Sequence, residues 1–459
     1  MAIGVVTSSG VTEEQITARI ERLPMSRWYL RVISTVASAH FFDAFDSLTI
    51  ASVLPVLVGL WHIAPGEIGT LISAGYIGQL VGALALGWLA ERYGRLKVLQ
   101  YSLVLIAVFA GACALAWNYA SFFWFRTLQG LGLGGEVPVA ATYMNEFTKA
   151  DYRGRLIMAL QTTFGVGVAV TSILAAWLVP TFGWQSMFVV GMVPVLLAIG
   201  LRWLVPESPR WLAAHGRIDE ADVALKRLEL EASRNGTRPL PPLPDHIPPV
   251  SRETAAWGDL FKGLYLKRTV VAWIMAFCTS FVGYGLVLWL PTIARTIYHF
   301  PLAQALRYGA IMNVVGLAGP IVCLLVIDFV GRRACFFVAF FGGAVAMAVL
   351  WWLGEARTAD QVLALGTVGY FFIGCLLTGL YVYIPETYPT RMRALGTGTA
   401  SSWLRIASIV GPAMVGFTLQ NSGIGAVFLM FAVVALVGAA TVLFMMIETR
   451  GQILEEVSP

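Results

Sequence analysis

Four polar residues that could bind protons or a charged ligand lie close together inside a long apolar run near the start of the chain. They are His40, Asp43, Asp46 and Ser47. At about 100° per residue, His40, Asp43 and Ser47 share one face of a helix, and Asp46 lies beside that face. A carboxylate inside a membrane helix costs roughly 2.5–3.5 kcal/mol, so such residues commonly face an ion pathway. The alternative is a structural ion pair that joins two helices.

Arg126, in the fourth apolar run, is predicted to lie at the same membrane depth as Asp46. It lies about five residues, or roughly 8 Å, from the outer end of its helix, and Asp46 lies about 15 residues, or roughly 22 Å, from the inner start of the first. In a hydrocarbon core about 30 Å thick these depths coincide. We therefore expect a charge-assisted pair that protonation of Asp46 releases. A pair that only holds the helices together is the alternative.

Two more charged residues lie inside apolar runs. Glu136, midway along the fourth run, could be a second proton site, a substrate contact or a structural hydrogen-bonding group. Arg405 shares a polar stripe of the eleventh run with Ser401 and lies about nine residues, or roughly 13 Å, from the end of its helix, close to the membrane midplane. A guanidinium there could clasp a substrate carboxylate with two hydrogen bonds. It could instead pair with Asp43 or Glu136.

Aromatic residues suggest the remainder of a binding pocket. Phe281 and Tyr284 share one face of the seventh run, Trp289 lies close to that face, and Tyr381 lies in the tenth run. A flat aromatic ligand could stack on such rings, although aromatic residues at helical spacing also pack helices together. The predicted substrate site combines these four residues with four polar ones: His40, Gln161, Ser401 and Arg405.

Twelve apolar runs account for most of the chain. Of its 459 residues 58% are hydrophobic and 12% are charged, whereas soluble domains have roughly 25% charged residues. A membrane-spanning helix needs about 20 apolar residues. The runs that reach this length cover 32–58, 67–90, 96–117, 121–145, 156–179, 184–204, 270–292, 305–327, 334–353, 362–384, 396–418 and 424–446. The expected fold is therefore an all-α membrane protein with twelve transmembrane helices.

The one long polar segment divides the runs into two groups of six. The predicted domains are a cytoplasmic tail (1–31), an N-terminal lobe (32–204), a cytoplasmic linker with a helical piece (205–269), a C-terminal lobe (270–446) and a cytoplasmic C-terminal tail (447–459). Lysine and arginine are concentrated in the loops on the side of the termini, which predicts that both termini are cytoplasmic. The net charge of +5 comes from these short loops and does not indicate nucleic-acid binding. The five cysteines have no CxxC spacing, so no metal or cofactor is predicted.

Charged motifs recur in the two groups at a nearly constant spacing of about 240 residues, as expected of a parallel duplication. Gly94 is matched by Gly331, and Glu207 by Glu448. We expect the motif residues to form ion pairs that close the cytoplasmic side in one state and separate in the other. The predicted gate comprises Glu91, Gly94, Arg95, Glu146, Arg155, Glu207, Arg210, Asp328, Gly331, Arg332, Glu386, Arg393 and Glu448.

These motifs resemble those of the major facilitator superfamily, and most closely its sugar-porter, organic-ion and aromatic-acid branches. The resemblance rests on 91–95, 328–332, 126–134, 206–211 and 385–387. It implies two six-helix lobes, alternating access, and an acid on the first helix paired with an arginine on the fourth. It also implies an anionic substrate, because anion carriers of the organic-ion branch have a basic residue on the eleventh helix. The seventh run lacks the paired glutamines of sugar porters, which disfavours a hexose.

The combination of Phe42–Asp46, Gly134–Pro138 and Arg405 is most similar to bacterial niacin carriers. We therefore predict a monomeric, proton-coupled symporter of a small organic anion, nicotinate, in a bacterial inner membrane, with no enzymatic activity. Its expected partners are that anion, protons and the lipid bilayer. The alternatives are another aromatic or monocarboxylic acid such as benzoate, a sugar, or a transport-inactive sensor or binding module. A uniporter or channel is disfavoured, because two intramembrane acids imply coupling.

Overall fold

A computed structural model of the protein describes residues 11–24, 26–148, 150–235, 240–243 and 256–450. In the first part of the chain these residues form ten helices: α1 (Glu13–Glu21), α2 (Arg27–Trp61), α3 (Pro65–Tyr93), α4 (Arg95–Ala114), α5 (Tyr119–Phe147), α6 (Ala150–Phe182), α7 (Gln185–Val190), α8 (Pro194–Leu204), α9 (Pro209–Ala214) and α10 (Ile218–Asn235). After a short 3₁₀ turn at Trp257–Phe261 come α11 (Gly263–Thr296), α12 (Leu302–Gly316), α13 (Ala318–Val330), α14 (Arg332–Trp352), α15 (Ala359–Glu386) and α16 (Thr390–Met445). No strand occurs within the ranges described.

The helices provide twelve membrane crossings in two groups of six, as predicted. Nine spans in the described residues are long and apolar enough to cross a membrane by themselves, with α12 and α13 together forming one of them. The other three crossings are α5, the short helices α7 and α8 taken together, and the second crossing of α16. We call α2–α8 the first half and α11–α16 the second half. The exact domain boundaries and the side of the membrane on which the termini lie stay predictions.

Two predicted spans are interrupted, and a proline follows each interruption. Proline has no N–H, and its ring clashes with the carbonyl four residues earlier, so it can kink or break a helix near that point. Pro194 accordingly follows the end of α7 at Val190, and Pro320 follows the end of α12 at Gly316. The eleventh and twelfth runs, in contrast, join as α16, with a kink at Gly423, where φ is 75° and ψ is 177°. The predicted boundary between the two runs, at 419–423, includes this kink.

Helices α3 and α5 touch along their backbones, which fixes the side chains that they carry toward the centre. A Cβ atom on Gly78 would lie 2.0 Å from the carbonyl oxygen of Thr127, and one on Gly134 would lie 2.0 Å from that of Gln79. Only glycine permits this approach, and small residues commonly have this role between membrane helices. The contact sets the depth of Gln79, on α3, relative to the charged residues of α5.

Hydrogen bonds join the two halves at positions well away from Gly94 and Gly331. Ser73 Oγ, near the start of α3, donates to the carbonyl oxygen of Ile409 on α16 at 2.6 Å. Asn313 Nδ2, on α12, donates to Ser172 Oγ on α6 at 2.6 Å. We call the end of the molecule that carries Gly94 and Gly331 the turn face. Contacts between the halves therefore concentrate away from the turn face.

Helices α1 and α10 pack together at the turn face of the first half. Ile16 and Ile20 of α1 are buried in one apolar cluster with Leu225 and Leu228 of α10. Arg19 of α1 forms ion pairs with Asp222 at 2.5 Å and Glu229 at 2.6 Å. Burial opposes ionisation of Glu229, but hydrogen bonds from Arg19 and Arg22 outweigh it and lower the pKa of that carboxyl. The pairing attaches the N-terminal segment to the segment that joins the two halves.

Candidate functional site

A central cavity of about 200 Å³ lies between the two halves. Ligand pockets for drug-sized molecules commonly measure about 300–1,000 Å³, so this cavity suits a smaller molecule such as one with a single ring. Six residues of the predicted substrate and proton sites line it: His40, Asp43, Tyr284, Tyr381, Ser401 and Arg405. Helices α2, α11, α15 and α16 therefore bring the predicted polar and aromatic residues together at one place.

Arg405 links the two halves across this cavity. Its Nη1 donates to Gln79 Oε1 at 3.3 Å, and Gln79 Nε2 donates in turn to Ser47 Oγ at 3.2 Å. The alternative of an ion pair with Asp43 or Glu136 is not what the structure shows, because neither carboxylate lies within 4.0 Å of the guanidinium among the described ion pairs. A neutral amide is a weak partner for a guanidinium, so the cation is available to an anionic ligand.

His40, Asp43 and Glu136 form a buried cluster beside the cavity. One polar atom of each lies within 4.8 Å of the others, and His40 Nδ1 lies 3.7 Å from Glu136 Oε2. Both Glu136 oxygens and Asp43 Oδ1 are buried without a hydrogen-bond partner. Two buried carboxylates this close repel each other when both are charged, so a cation held between them stabilises the cluster. Among the described residues, these three side chains lie close enough together to hold a cation or to share a proton.

Asp46 and Arg126 do lie side by side, but the structure replaces the predicted direct ion pair with a link through Gln129. Arg126 Nη1 donates to Gln129 Oε1 at 2.6 Å and to the main-chain oxygen of Asp46 at 3.2 Å. Gln129 Nε2 then donates to Asp46 Oδ1 at 3.1 Å. Because Gln129 lies one helical turn after Arg126 on α5, its amide, with both a donor and an acceptor, fits between the two charges. Asp46 Oδ2 and Arg126 Nε are buried and unpaired.

The predicted aromatic residues separate into two groups. Tyr284 lines the cavity and packs against Tyr76, with ring centroids 5.4 Å apart and an interplanar angle of 63°. Tyr381 also lines the cavity. Phe281 and Trp289 do not: both rings are only 1% exposed, and Phe281 packs against Phe431 of α16. These two residues have the helix-packing role that was the alternative for the aromatic stripe.

Several cavity residues were not predicted from the sequence, and three of them bear polar groups near Arg405 or the other half of the molecule. Tyr76, Gln79 and Asn313 all line the cavity. Each is an uncharged polar or amphipathic residue inside an apolar helix, and that pattern is the signal that could have identified them. The signal is weak, because tyrosine, glutamine and asparagine are tolerated in membrane helices more easily than charged residues are.

The predicted gate residues form a compact cluster at the turn of the first half. Gly94 has φ 108°, and the Glu207 carboxylate accepts hydrogen bonds from the main-chain N–H groups of Arg95 at 3.0 Å and Leu96 at 3.1 Å. The Arg95 side chain bonds Glu146 at 3.0 Å. It also bonds Glu91 at 3.0 Å. A carboxylate at a helix N-terminus is favourable there, yet burial raises the pKa of Glu207.

The second half repeats this arrangement. Gly331 has φ 98°, and Glu448 accepts from the main-chain N–H groups of Arg332 at 2.9 Å and Arg333 at 3.0 Å. The Arg332 side chain bonds Glu386 at 3.1 Å and Asp328 at 2.8 Å. Burial opposes ionisation of Glu448, but the main-chain hydrogen bonds lower its pKa overall. The repeat seen in sequence is therefore also a repeat of geometry.

None of the described ion pairs of the predicted gate joins the two halves. Arg210 pairs with Glu21 of α1 at 2.7 Å rather than with the gate acids, and Arg393 Nε donates to the carbonyl oxygen of Pro385 at 3.0 Å. The side chains of Arg155 and Gln161 lie outside the described residues. Contacts between the halves that would close the turn face are thus not formed by the described gate residues in this structure.

Twelve membrane crossings in two similar halves, with a polar cavity between them, define a secondary membrane transporter. The chain belongs to the sugar (and other) transporter family of the major facilitator superfamily, whose sequence profile matches residues 41–459. It is therefore a multi-pass membrane transporter and not an enzyme.

Two relatives and one solved structure are similar over nearly the whole chain. The niacin transporter NiaP of Acinetobacter baylyi is 33% identical, and the match covers 96% of this chain and 99% of the relative. The 4-hydroxybenzoate transporter PcaK of the same organism is 27% identical, with 93% of each chain covered. The partially occluded inward-open xylose transporter XylE from E. coli has the same fold, with a TM-score of 0.72 at 20% identity, covering 93% of this chain and 100% of the other.

Proposed function

We propose that this transporter takes up a small aromatic carboxylate, nicotinate, together with protons, by alternating access. The observation that carries the proposal is the position of Arg405 in the central cavity. Its guanidinium bonds only a neutral amide among the described residues, and aromatic rings line the same cavity. A ligand with a carboxylate and one flat ring satisfies both features. The similarity to a niacin transporter supports this substrate.

When substrate binds, the Arg405 guanidinium exchanges one hydrogen-bond acceptor for another. The substrate carboxylate replaces Gln79 Oε1, and a planar guanidinium can hold both carboxylate oxygens at once. The ring lies toward Tyr284 and Tyr381, which line the cavity with Arg405. Ser401, also on the cavity wall, is a further hydrogen-bonding group for the carboxylate.

Proton coupling uses the two groups of buried acids. The His40–Asp43–Glu136 cluster has carboxylate oxygens without hydrogen-bond partners, and Asp46 carries another. A proton on Asp46 removes its negative charge, which weakens the hydrogen bond from the Gln129 amide and so loosens the link to Arg126. A proton in the cluster relieves the repulsion between Asp43 and Glu136. Either step changes how α2 is held against α5, which is the kind of local change that biases a two-state transporter.

Alternating access follows from where the two halves touch. Contacts between the halves concentrate away from the turn face, while the described ion pairs of the gate stay within each half. We propose that this arrangement is the state open toward the turn face, and that the turn face is cytoplasmic, as the distribution of lysine and arginine predicts. Rocking of the halves then closes the turn face and opens the other side. We further propose that the protein acts as a monomer in a bacterial inner membrane.

Uptake into proteoliposomes tests the proposal. Purified protein is reconstituted, an inward proton gradient is imposed, and uptake of labelled nicotinate is measured with unlabelled nicotinate, nicotinamide, benzoate and glucose as competitors. We expect gradient-dependent uptake that unlabelled nicotinate and, less strongly, benzoate inhibit, while glucose has no effect. Uptake that collapsing the proton gradient leaves unchanged would refute the coupling, and inhibition by glucose alone would indicate a sugar carrier.

A second candidate is a substituted benzoate. The 27% identity to a 4-hydroxybenzoate transporter favours it, and a benzoate satisfies Arg405 and the aromatic rings equally well. In the same assay, stronger inhibition by benzoates than by nicotinate identifies this substrate class. Absence of all uptake, with ligand binding retained, would support the sensor alternative.

A further inference from the structure

Tyr76 holds a hydroxyl group that the structure leaves without a hydrogen bond. The residue lies on α3, is only 4% exposed, and lines the central cavity. Its oxygen is buried and has no partner within the described structure. Leaving a buried donor unpaired is unfavourable, so such a group in a native protein calls for an explanation. A ligand that brings an acceptor to this oxygen would provide one.

Tyr76 lies one helical turn from the group that holds Arg405. Gln79, three residues later on α3, accepts the hydrogen bond from Arg405 Nη1 at 3.3 Å. Residues three apart on a helix have Cβ atoms about 5–6 Å apart and face the same side. Tyr76 and Arg405 both line the cavity, and Tyr76 lies on the same face of α3 as the glutamine that Arg405 contacts.

Tyr76 differs from the other tyrosines of the cavity wall. Tyr284, Tyr370 and Tyr381 also line the cavity, but within the part of the chain described Tyr76 is the tyrosine whose hydroxyl is both shielded from solvent and unpaired. A hydroxyl that water can reach exchanges one partner for another when a ligand binds, so its net contribution is small. A shielded, unpaired hydroxyl has no such partner to give up, so a hydrogen bond to the ligand is a net gain.

We propose that the Tyr76 hydroxyl donates a hydrogen bond to a ring nitrogen of the substrate while Arg405 holds the carboxylate, so that the site selects nitrogen-containing aromatic acids over carbocyclic ones. At neutral pH the ring nitrogen of nicotinate is an acceptor and cannot donate. The unpaired oxygens of the Asp43 carboxylate and of the Asn313 amide are acceptors as well. They therefore cannot form a hydrogen bond with that nitrogen. The inference rests on the proposed function, and it adds the side chain that would recognise the ring nitrogen.

The proposed selectivity has two causes: nicotinate gains a hydrogen bond from Tyr76, and benzoate leaves the Tyr76 hydroxyl unpaired. Benzoate has the same shape and the same carboxylate, but it places a C–H where nicotinate has the nitrogen. It would leave the Tyr76 hydroxyl buried and unpaired, and a site built around a polar contact discriminates strongly against a ligand that lacks the matching group. Tyr76 would thus distinguish nitrogen-containing aromatic acids from benzoates, which Arg405 cannot do because both carry the same carboxylate.

Calorimetric binding to the purified full-length protein at neutral pH tests this role. Nicotinate and benzoate are titrated into wild type, Tyr76→Phe and, as the matched control, Tyr370→Phe, which removes a hydroxyl from another cavity tyrosine. We expect Tyr76→Phe to weaken nicotinate about tenfold, the factor of a buried neutral hydrogen bond, while benzoate binds as before or more tightly. Tyr370→Phe should leave the nicotinate-to-benzoate ratio unchanged. Retained benzoate binding shows that Tyr76→Phe is folded.

Two results overturn the inference without touching the proposed function. One is nicotinate binding to Tyr76→Phe with wild-type affinity. The other is an equal loss for nicotinate and benzoate, which would mean that Tyr76 acts through packing or through the nearby acids. Failure of the wild-type protein to bind nicotinate at all would instead overturn the proposed function, and the role of Tyr76 with it.

Discussion

Removing the Arg405 side chain should erase the preference of the site for an anion. In the structure the one described hydrogen bond of its guanidinium goes to a neutral amide, Gln79, at a long 3.3 Å, so Arg405→Ala loses little from that contact. With substrate bound, the same guanidinium contacts a carboxylate. A hydrogen bond to a charged group contributes about 1.5–3 kcal/mol, so nicotinate should bind Arg405→Ala roughly tenfold to a hundredfold more weakly.

Nicotinamide is the ligand that isolates this effect. It keeps the ring and the ring nitrogen but replaces the carboxylate with a neutral amide, so wild type should prefer nicotinate by a similar factor. Arg405→Ala should bind both ligands about equally, and Arg405→Lys should keep only part of the preference, because an ammonium cannot form the bidentate pair. The dissociation constants are measured by calorimetry at one pH and one salt concentration. If Arg405→Ala binds nicotinate as tightly as wild type, Arg405 is structural and the anionic-substrate argument loses its main support.

Three further changes test the coupling and the gate. Asp46→Asn should bind and exchange nicotinate but fail to accumulate it against a gradient; wild-type accumulation would move coupling to the other buried acids. Arg95→Ala should lower the rate of uptake with an almost unchanged dissociation constant, and loss of affinity at a normal rate would contradict its role in the gate. Gly94→Ala should lower the melting temperature in detergent, because φ is 108° there and the new Cβ would meet Glu207 Oε2 at 2.4 Å, a strain of about 1–3 kcal/mol. Gly59→Ala, with open space around the new Cβ, is the control and should not destabilise.

The sequence predicts the helices well because the membrane imposes a simple length rule. Each span needs about 20 apolar residues, and loops between spans are short, so the boundaries of α3 or α14 follow from hydrophobicity to within a few residues. The rule fails where a helix breaks inside an apolar run. The breaks before Pro194 and at Leu317 each precede a proline, which can break the backbone hydrogen bonding of a helix but hardly alters the hydrophobicity of the run.

The site was predictable where charge marked it and not elsewhere. Asp43, Glu136 and Arg405 are conspicuous because charged residues inside a membrane are costly, and the structure brings Asp43 and Arg405 to one cavity with Glu136 in the buried cluster beside it. Gln129 illustrates the opposite case. Matching depths placed Asp46 opposite Arg126, but depth says nothing about whether a third side chain enters between them. Rotamers and neighbouring side chains decide that contact, and a linear sequence does not contain them.

The hydrogen bonds of the cavity join the proposed substrate site to the proposed proton site. Arg405, on the second half, donates to Gln79, and Gln79 donates to Ser47, the residue that follows Asp46 on α2. A carboxylate that takes Arg405 away from Gln79 removes the link between the halves at this point and leaves the glutamine free to rebond beside the acids of α2. Substrate and proton would then act on the same short helix segment. That arrangement explains physically why an anion-binding arginine and membrane-buried acids would lie so close together in a symporter: each ligand changes the hydrogen bonds on which the other depends.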